Sequence, residues 1–290
     1  MGKATKFMTY FRGLRIPEVC LMTGFFMVAA LFTIKQVDVT TLLRLIIIWG
    51  AIFLLILSIY AFNAWSGKMA DRQNRRLASL GEMGSRYYGM VTIISLAGAL
   101  VLGALINRQV VLVIAALAVL WSLYSAPRFG LKHIAFAGTA LHFFAQIVHF
   151  NLVWTVFAPL SLVSFLWSVF FAILFAGGHW VHEVIDFEAD RSAGIKTAAV
   201  KFGPRKIFQA SGIVFLFNTV YLCFLTWAHP DFLFPGLFFS AAALAHTIYF
   251  FVLQKKWLAS AAQLRRYQTG YRLFYLLAGL GYLLFLVLSI

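Results

Sequence analysis

The chain has 290 residues, of which 62% are hydrophobic and only 11% charged, with a mean hydropathy of +0.89. A soluble domain carries about twice that share of charge, so the composition excludes a soluble globular protein and predicts a multi-pass membrane protein. The net charge of +15 would suit nucleic acid, but the basic residues lie in short blocks between apolar spans, which is the pattern of membrane topology and excludes a nucleic-acid partner.

Nine apolar segments, each near the ~20 residues that a bilayer requires, are predicted at roughly 17–34, 41–63, 88–106, 109–126, 134–157, 160–180, 207–228, 232–254 and 271–290. The first lacks a small-residue cleavage site and reads as a retained span. Cys20 and Cys223 both fall inside spans and read as small buried hydrophobes, with no disulfide or metal role. With the N-terminus cytoplasmic, only Lys35, Arg44 and Arg108 of the 24 basic residues fall on the far side. This asymmetry predicts an all-α integral membrane protein with N-terminus inside and C-terminus outside, in what reads as a bacterial inner membrane. The single transmembrane domain, 1–290, reads as two related halves of about 1–132 and 133–290.

Three connections are long: 64–87, 181–206 and 255–270. Long connections in a compact protein carry function or disorder. In the third, WLASAAQLRRYQ reads as a separate short amphipathic helix whose basic face rests on anionic headgroups of the membrane lipids. Pro204, after Gly203, reads as the first turn of the following helix.

The second long connection carries the strongest signal. Glu183, Asp186, Glu188 and Asp190 are four of only nine acidic residues in the chain. Asp186 and Asp190 are one helical turn apart, and His182 continues the stripe one turn earlier. Two carboxylates at that spacing suit a hard cation such as Mg²⁺ that also takes phosphate oxygens. A solvated turn at the membrane surface fits the same residues. The first long connection repeats the arrangement, with Asn63, Gly67 and Asp71 at four-residue intervals. Four spans separate the two clusters, so both lie on the cytoplasmic side.

Polar residues inside spans are costly and face the protein interior. His142, Gln146 and His149 share one face of the fifth span, with Asn151 nearby, and His246 lies in the eighth. Lining a pocket and bonding helix to helix both account for them. Trp121, Tyr124 and Phe187 offer π faces to a cation, although packing explains most aromatics in a chain with this many.

The second cluster, DFEADRSAGIKTAAVKFG, resembles the second aspartate-rich motif of the UbiA-type superfamily of intramembrane prenyltransferases, with Asp186 and Asp190 at the metal-binding positions and Gly194, Thr197, Val200 and Gly203 in the tail. LYSAPRFGLK resembles the family's connection between helices four and five, and places Lys132 at its diphosphate-binding lysine. FRGLRIP resembles the usual approach to helix one. The first motif departs from the family form N-D-x-x-D-x-x-x-D: Asn63 and Asp71 are kept, while Ala64 and Gly67 replace two aspartates and the cation Lys68 follows.

The resemblance implies nine helices around a cavity open to the cytoplasm. It implies Mg²⁺-dependent transfer of a prenyl group from an isoprenoid diphosphate to a hydrophobic acceptor, aromatic or lipid-like. In that scheme Asp186, Asp190, Asn63 and Asp71 are the metal and catalytic residues. Lys68, Arg72, Arg128 and Lys132 bind the diphosphate, and Tyr124, His142, Gln146, His149 and His182 line the acceptor cavity. The weakened first motif leaves open a membrane terpene cyclase, or a catalytically silent lipid-binding or assembly subunit with a membrane-complex partner. Transport is the weakest alternative, because carriers place acids near the midplane and these acids cluster at the rim.

Overall fold

The computed structural model describes residues 14–34, 38–66, 85–126, 130–258 and 260–289. Among these residues there is no strand, and nine helices are long and apolar enough to cross a membrane. Helix satisfies every backbone group within its own segment, which the bilayer core demands. The helices are α1 Ile16–Thr33, α2 Val39–Ser66, α3 Ser85–Ala104, α4 Arg108–Ser125, α5 Ala137–Phe157, α6 Leu162–Ile185, α7 Phe187–Ser192, α8 Ala198–Phe202, α9 Pro204–Ala228, α10 Leu233–Trp257 and α11 Ala261–Ser289. The short α7 and α8 stand between the sixth and seventh spans.

Three expectations are corrected. The span expected to stop near 180 continues to Ile185, so the second acidic motif begins directly at the end of α6. The separate amphipathic helix after the eighth span does not exist as such: residues from Ala261 onward form the first turns of α11. No helix breaker separates QLRRYQ from the final apolar run except Gly270, and there the missing Cβ admits the Tyr249 ring, since a methyl would lie 2.8 Å from its hydroxyl. Cys20 and Cys223 are free but exposed, not buried, because a lipid-facing surface is as apolar as the interior and composition does not distinguish the two.

The chain divides into two compact units. The first comprises residues 1–134, 148–159 and 191–195. In it α2 packs against α1, α3 and α4. α1 starts at Arg15, whose backbone is left-handed (φ 54°), with Pro17 in the first turn. The Arg15 guanidinium lies 4.7 Å from the centre of the Tyr60 ring and 3.6 Å from the Glu18 carboxylate, which ties the start of α1 to α2. Before α2, the Thr41 backbone amide donates to Asp38 at 2.7 Å and holds that exposed carboxyl below its ordinary pKa.

The second unit comprises residues 135–147, 160–190 and 196–290. Here α9 packs on α6 and α10, and α11 packs on α10 and α6. Gly177 lets α6 approach the Phe215 ring, where a Cβ would lie 2.6 Å away. Polar residues join the spans. Tyr221 donates to the Leu166 carbonyl at 2.8 Å, and the Thr219 and Thr247 hydroxyls meet at 2.8 Å. Buried His246 places Nε2 2.6 Å from the Tyr267 hydroxyl and Nδ1 3.2 Å from the Tyr275 hydroxyl. Such contacts satisfy groups that would be costly in hydrocarbon. Of the two readings of His246, an interhelical bond is the one observed.

Candidate functional site

In the first unit, three chain segments converge on Asn63, in the last turn of α2. Its side-chain oxygen accepts from the hydroxyl of Ser125, the final residue of α4, at 3.1 Å, and from the Lys132 ammonium at 3.5 Å. Lys132 sits in a single 3-10 turn, Leu131–His133. Gly130 makes that turn possible, because a Cβ would lie 2.6 Å from the Ala126 carbonyl oxygen. The structure thus brings together two residues chosen from sequence, Asn63 and Lys132. The neighbouring His133 is held below its ordinary pKa, first by burial and then by the Lys132 charge, so this corner carries its positive charge on lysine.

Ala64, where the family form has an aspartate, is 8% exposed and packs in an apolar cluster with Ala61 and Tyr88, flanked by Leu14, Tyr87 and Val91. The substitution does more than delete a carboxylate. It turns the position into core. Nearby, half-buried Tyr124 meets Trp121 edge-on at 5.6 Å, Trp121 stacks at 6.3 Å on His149, and the His149 ring lies 4.3 Å from that of Phe26. Tyr124 and His149 therefore belong to one aromatic group.

The second unit holds the other acidic motif. Asp186 caps α6, its amide donating to the His182 carbonyl at 3.0 Å, and the Asp190 amide in turn donates to the Asp186 carbonyl at 2.9 Å. The helix breaks at Asp186 (φ −95°, ψ 8°) yet the one-turn spacing of the two aspartates persists into α7. His182 Nε2 lies 3.3 Å from the Asp186 carboxylate, so this histidine, assigned from sequence to the cavity, engages the acidic motif itself. Gly194 (φ 70°) and Gly203 (φ 93°) adopt the left-handed backbone that lets the segment turn back into α8 and α9. Pro204 occupies the first turn of α9, as expected.

One turn deeper, His179 Nδ1 lies 3.4 Å from Glu183 and 3.1 Å from the Thr139 hydroxyl, and the His142 ring lies tilted against His179 with centroids 4.2 Å apart. Gln146 is buried on α5, and neither of its amide atoms has a partner among the described residues. Lys68, Asp71, Arg72 and Arg128 lie outside the described residues. Sequence reasoning did not select Ser125, Thr139, His179 or Glu183 as site residues. The one available signal was the four-residue interval from His179 to Glu183, which repeats that from His182 to Asp186.

The residues present fit Mg²⁺. Among the described residues no group of three histidines, cysteines or carboxylates gathers, as a dedicated protein cage would require. Mg²⁺ is commonly held by one or two carboxylates together with substrate phosphates, and two hard oxygen donors one turn apart are that kind of set.

The sequence profile of the UbiA prenyltransferase family matches residues 21–274. No match is found among curated protein sequences. Among solved structures, a UbiA homolog from Archaeoglobus fulgidus bound to DMAPP and Mg²⁺ is similar at TM-score 0.70 and 17% identity, covering 94% of this chain and 98% of that one. The same homolog bound to GPP and Mg²⁺ is 19% identical at TM-score 0.70, with coverage of 94% and 99%. An apo UbiA homolog from Aeropyrum pernix K1 is similar at TM-score 0.70 and 17% identity, covering 93% and 98%. Those likenesses carry the fold, and the profile match extends over most of the sequence: this chain belongs to the UbiA prenyltransferase family.

Proposed function

We propose that the protein transfers a prenyl group from an isoprenoid diphosphate to a hydrophobic acceptor, aromatic or lipid-like, within the membrane. The observation that carries this reading is the intact second motif, with Asp186 and Asp190 fixed one turn apart at the end of α6. Support for the donor comes from the Archaeoglobus fulgidus homolog, which was solved with DMAPP, with GPP and with Mg²⁺. In this reading Asp186 and Asp190 hold Mg²⁺, and Asp71 belongs to the same chemistry. Mg²⁺, when bound, draws charge from the diphosphate leaving group.

The chain's own residues do the rest. Lys132, held by Asn63, donates to a phosphate oxygen, as do Lys68, Arg72 and Arg128, so cations take over part of the work of the two missing carboxylates. The C1–O bond of the donor breaks, with its electron pair leaving on the diphosphate. The acceptor then forms the new bond to C1 and loses a proton. The apolar spans keep water from the allylic cation, and the Trp121–Tyr124 pair offers it π faces. His142, Gln146 and His149 contact the acceptor. The N-terminus lies in the cytoplasm of a bacterium, and the halves of about 1–132 and 133–290 are related in pattern.

The second reading, a catalytically silent lipid-binding subunit, is favoured by one observation, the conversion of position 64 to apolar core. Purified protein is incubated with Mg²⁺, labelled geranyl or geranylgeranyl diphosphate and a panel of quinone-precursor and lipid acceptors. Label appearing in an acceptor product supports transfer, and label in an acceptor-free hydrocarbon supports a cyclase. Tight donor binding with no product supports the silent subunit.

A further inference from the structure

The segment that carries Asp186 and Asp190 is closed on itself by a residue that neither binds metal nor touches substrate in the reading above. Glu183 is buried, 6% exposed, in the last turn of α6. One of its carboxylate oxygens accepts from the backbone amide of Ala199, sixteen residues along, at 3.2 Å. The other lies 3.4 Å from His179 Nδ1, which is in turn 3.1 Å from the Thr139 hydroxyl on α5. A carboxyl in an apolar interior is expensive unless it is hydrogen-bonded, and here the Ala199 amide bonds one oxygen while the His179 ring lies beside the other.

The contact joins the end of α6 to the start of α8 and makes everything between them a closed loop. Inside that loop the backbone is already bonded turn by turn. Asp190 bonds to Asp186 and Gly194 to Arg191, and Thr197 caps α8 by accepting from Val200.

We propose that Glu183 is a positioning residue: its bond to the Ala199 amide fixes the loop bearing Asp186 and Asp190 in the arrangement that accepts a divalent cation. This inference rests on the proposed metal role of the two aspartates. A loop held in its bound form loses less conformational freedom on binding, and removing a group that supports metal ligands weakens affinity about 10- to 100-fold. The His179 ring, itself 3.1 Å from the Thr139 hydroxyl, lies beside the other oxygen of Glu183.

The test is Mn²⁺ binding, read by electron paramagnetic resonance, to purified protein in nanodiscs with geranyl thiodiphosphate, a slowly ionising donor analogue. Amide hydrogen exchange across residues 195–202 is followed in the same samples. Glu183→Ala is expected to weaken Mn²⁺ binding about tenfold and to speed exchange at Ala199. Glu183→Gln keeps an acceptor oxygen, and is expected to hold Mn²⁺ affinity within about twofold of wild type by the same reasoning, with Ala199 still protected.

Wild-type Mn²⁺ affinity in a folded Glu183→Ala protein with unprotected Ala199 would overturn the inference. So would a tenfold loss in Glu183→Gln with Ala199 still protected, since charge and not the clasp would then be responsible. Because Glu183→Gln carries its own required outcome, the inference stays testable if Glu183→Ala does not fold. A wild-type protein that binds no Mn²⁺ would overturn the proposed function as well, which separates that failure from failure of the clasp alone.

Discussion

The side-chain oxygen of Asn63 receives both the Ser125 hydroxyl and the Lys132 ammonium, at 3.1 Å and 3.5 Å. The asparagine of the weakened first motif therefore holds a cation beside it. A charge-assisted hydrogen bond to phosphate contributes about 1.5–3 kcal/mol, so Lys132→Ala should raise the KM for the allylic diphosphate by about tenfold or more. Lys132→Arg should lose less, because a cation and its donors remain. Steady-state kinetics at saturating Mg²⁺ measures this, and an unchanged KM in Lys132→Ala would remove Lys132 from the diphosphate site.

Position 64 cannot simply be returned to the family form. Ala64 is packed against Ala61 and Tyr88. An aspartate there buries a carboxyl with no partner prepared for it, at a cost on the order of 3 kcal/mol. Ala64→Asp is expected to lower thermal stability without raising turnover. Thermal unfolding of the detergent-solubilised protein reads the first effect, and a gain in activity at unchanged stability would contradict the burial argument.

His133 gives the protein a defined acid response. Its folded pKa is lowered from the model-compound value of 6.5 by burial and by Lys132. Well above pH 6.5 the imidazole is neutral in both folded and unfolded chains, and it contributes nothing to pH dependence. As pH falls below 6.5 the unfolded chain takes up the proton more readily, so stability declines. His133→Gln should remove that part of the decline. The measurement is the difference in Tm between wild type and variant at pH 7.5 and pH 5.5, expected to be larger at pH 7.5.

The second unit owes its helix register to two different devices. His246→Phe strands the Tyr267 and Tyr275 hydroxyls in the interior, at about 1–3 kcal/mol for each buried group left unpaired. Gly177→Ala puts a methyl against Phe215, and overpacking of this kind costs about 1–3 kcal/mol. Both variants should unfold at lower temperature or denaturant concentration, and because the Phe215 ring lies against both sites, 4.3 Å from the His246 ring, their effects should combine non-additively. A neutral His246→Phe would mean that the tyrosine hydroxyls find other partners.

Much of the fold was legible because the bilayer imposes a period that composition reports directly. The nine apolar runs match the nine helices long and apolar enough to cross a membrane among the described residues, and the second acidic cluster identified itself by the Asp186–Asp190 interval. Three features were not legible, each for a physical reason. Whether Cys20 and Cys223 face lipid or protein depends on a distinction that hydropathy does not make, since both environments are apolar. The start of α11 depends on Gly270 being covered by Tyr249, a tertiary contact that outweighs a local helix-breaking tendency. The role of Glu183 depends on a bond to Ala199 that exists only once the chain has turned back at Gly194. Of the candidate site, the one-turn stripe of His182, Asp186 and Asp190 was already evident, while the bond between Asn63 and Lys132, which stand on separate segments, emerged from the fold.

The central claim is that the Asp186–Asp190 pair supports ionisation of a prenyl diphosphate. The most direct measurement is pyrophosphate release from labelled geranylgeranyl diphosphate by purified wild-type, Asp186→Asn and Asp190→Asn proteins, with and without Mg²⁺, each protein first shown to be folded by its thermal transition. The account predicts Mg²⁺-dependent release by the wild type and a loss of at least about a hundredfold in either variant, on the scale seen when electrostatic stabilisation of a transition state is removed. Release that persists in both variants, or that is indifferent to Mg²⁺, would contradict it.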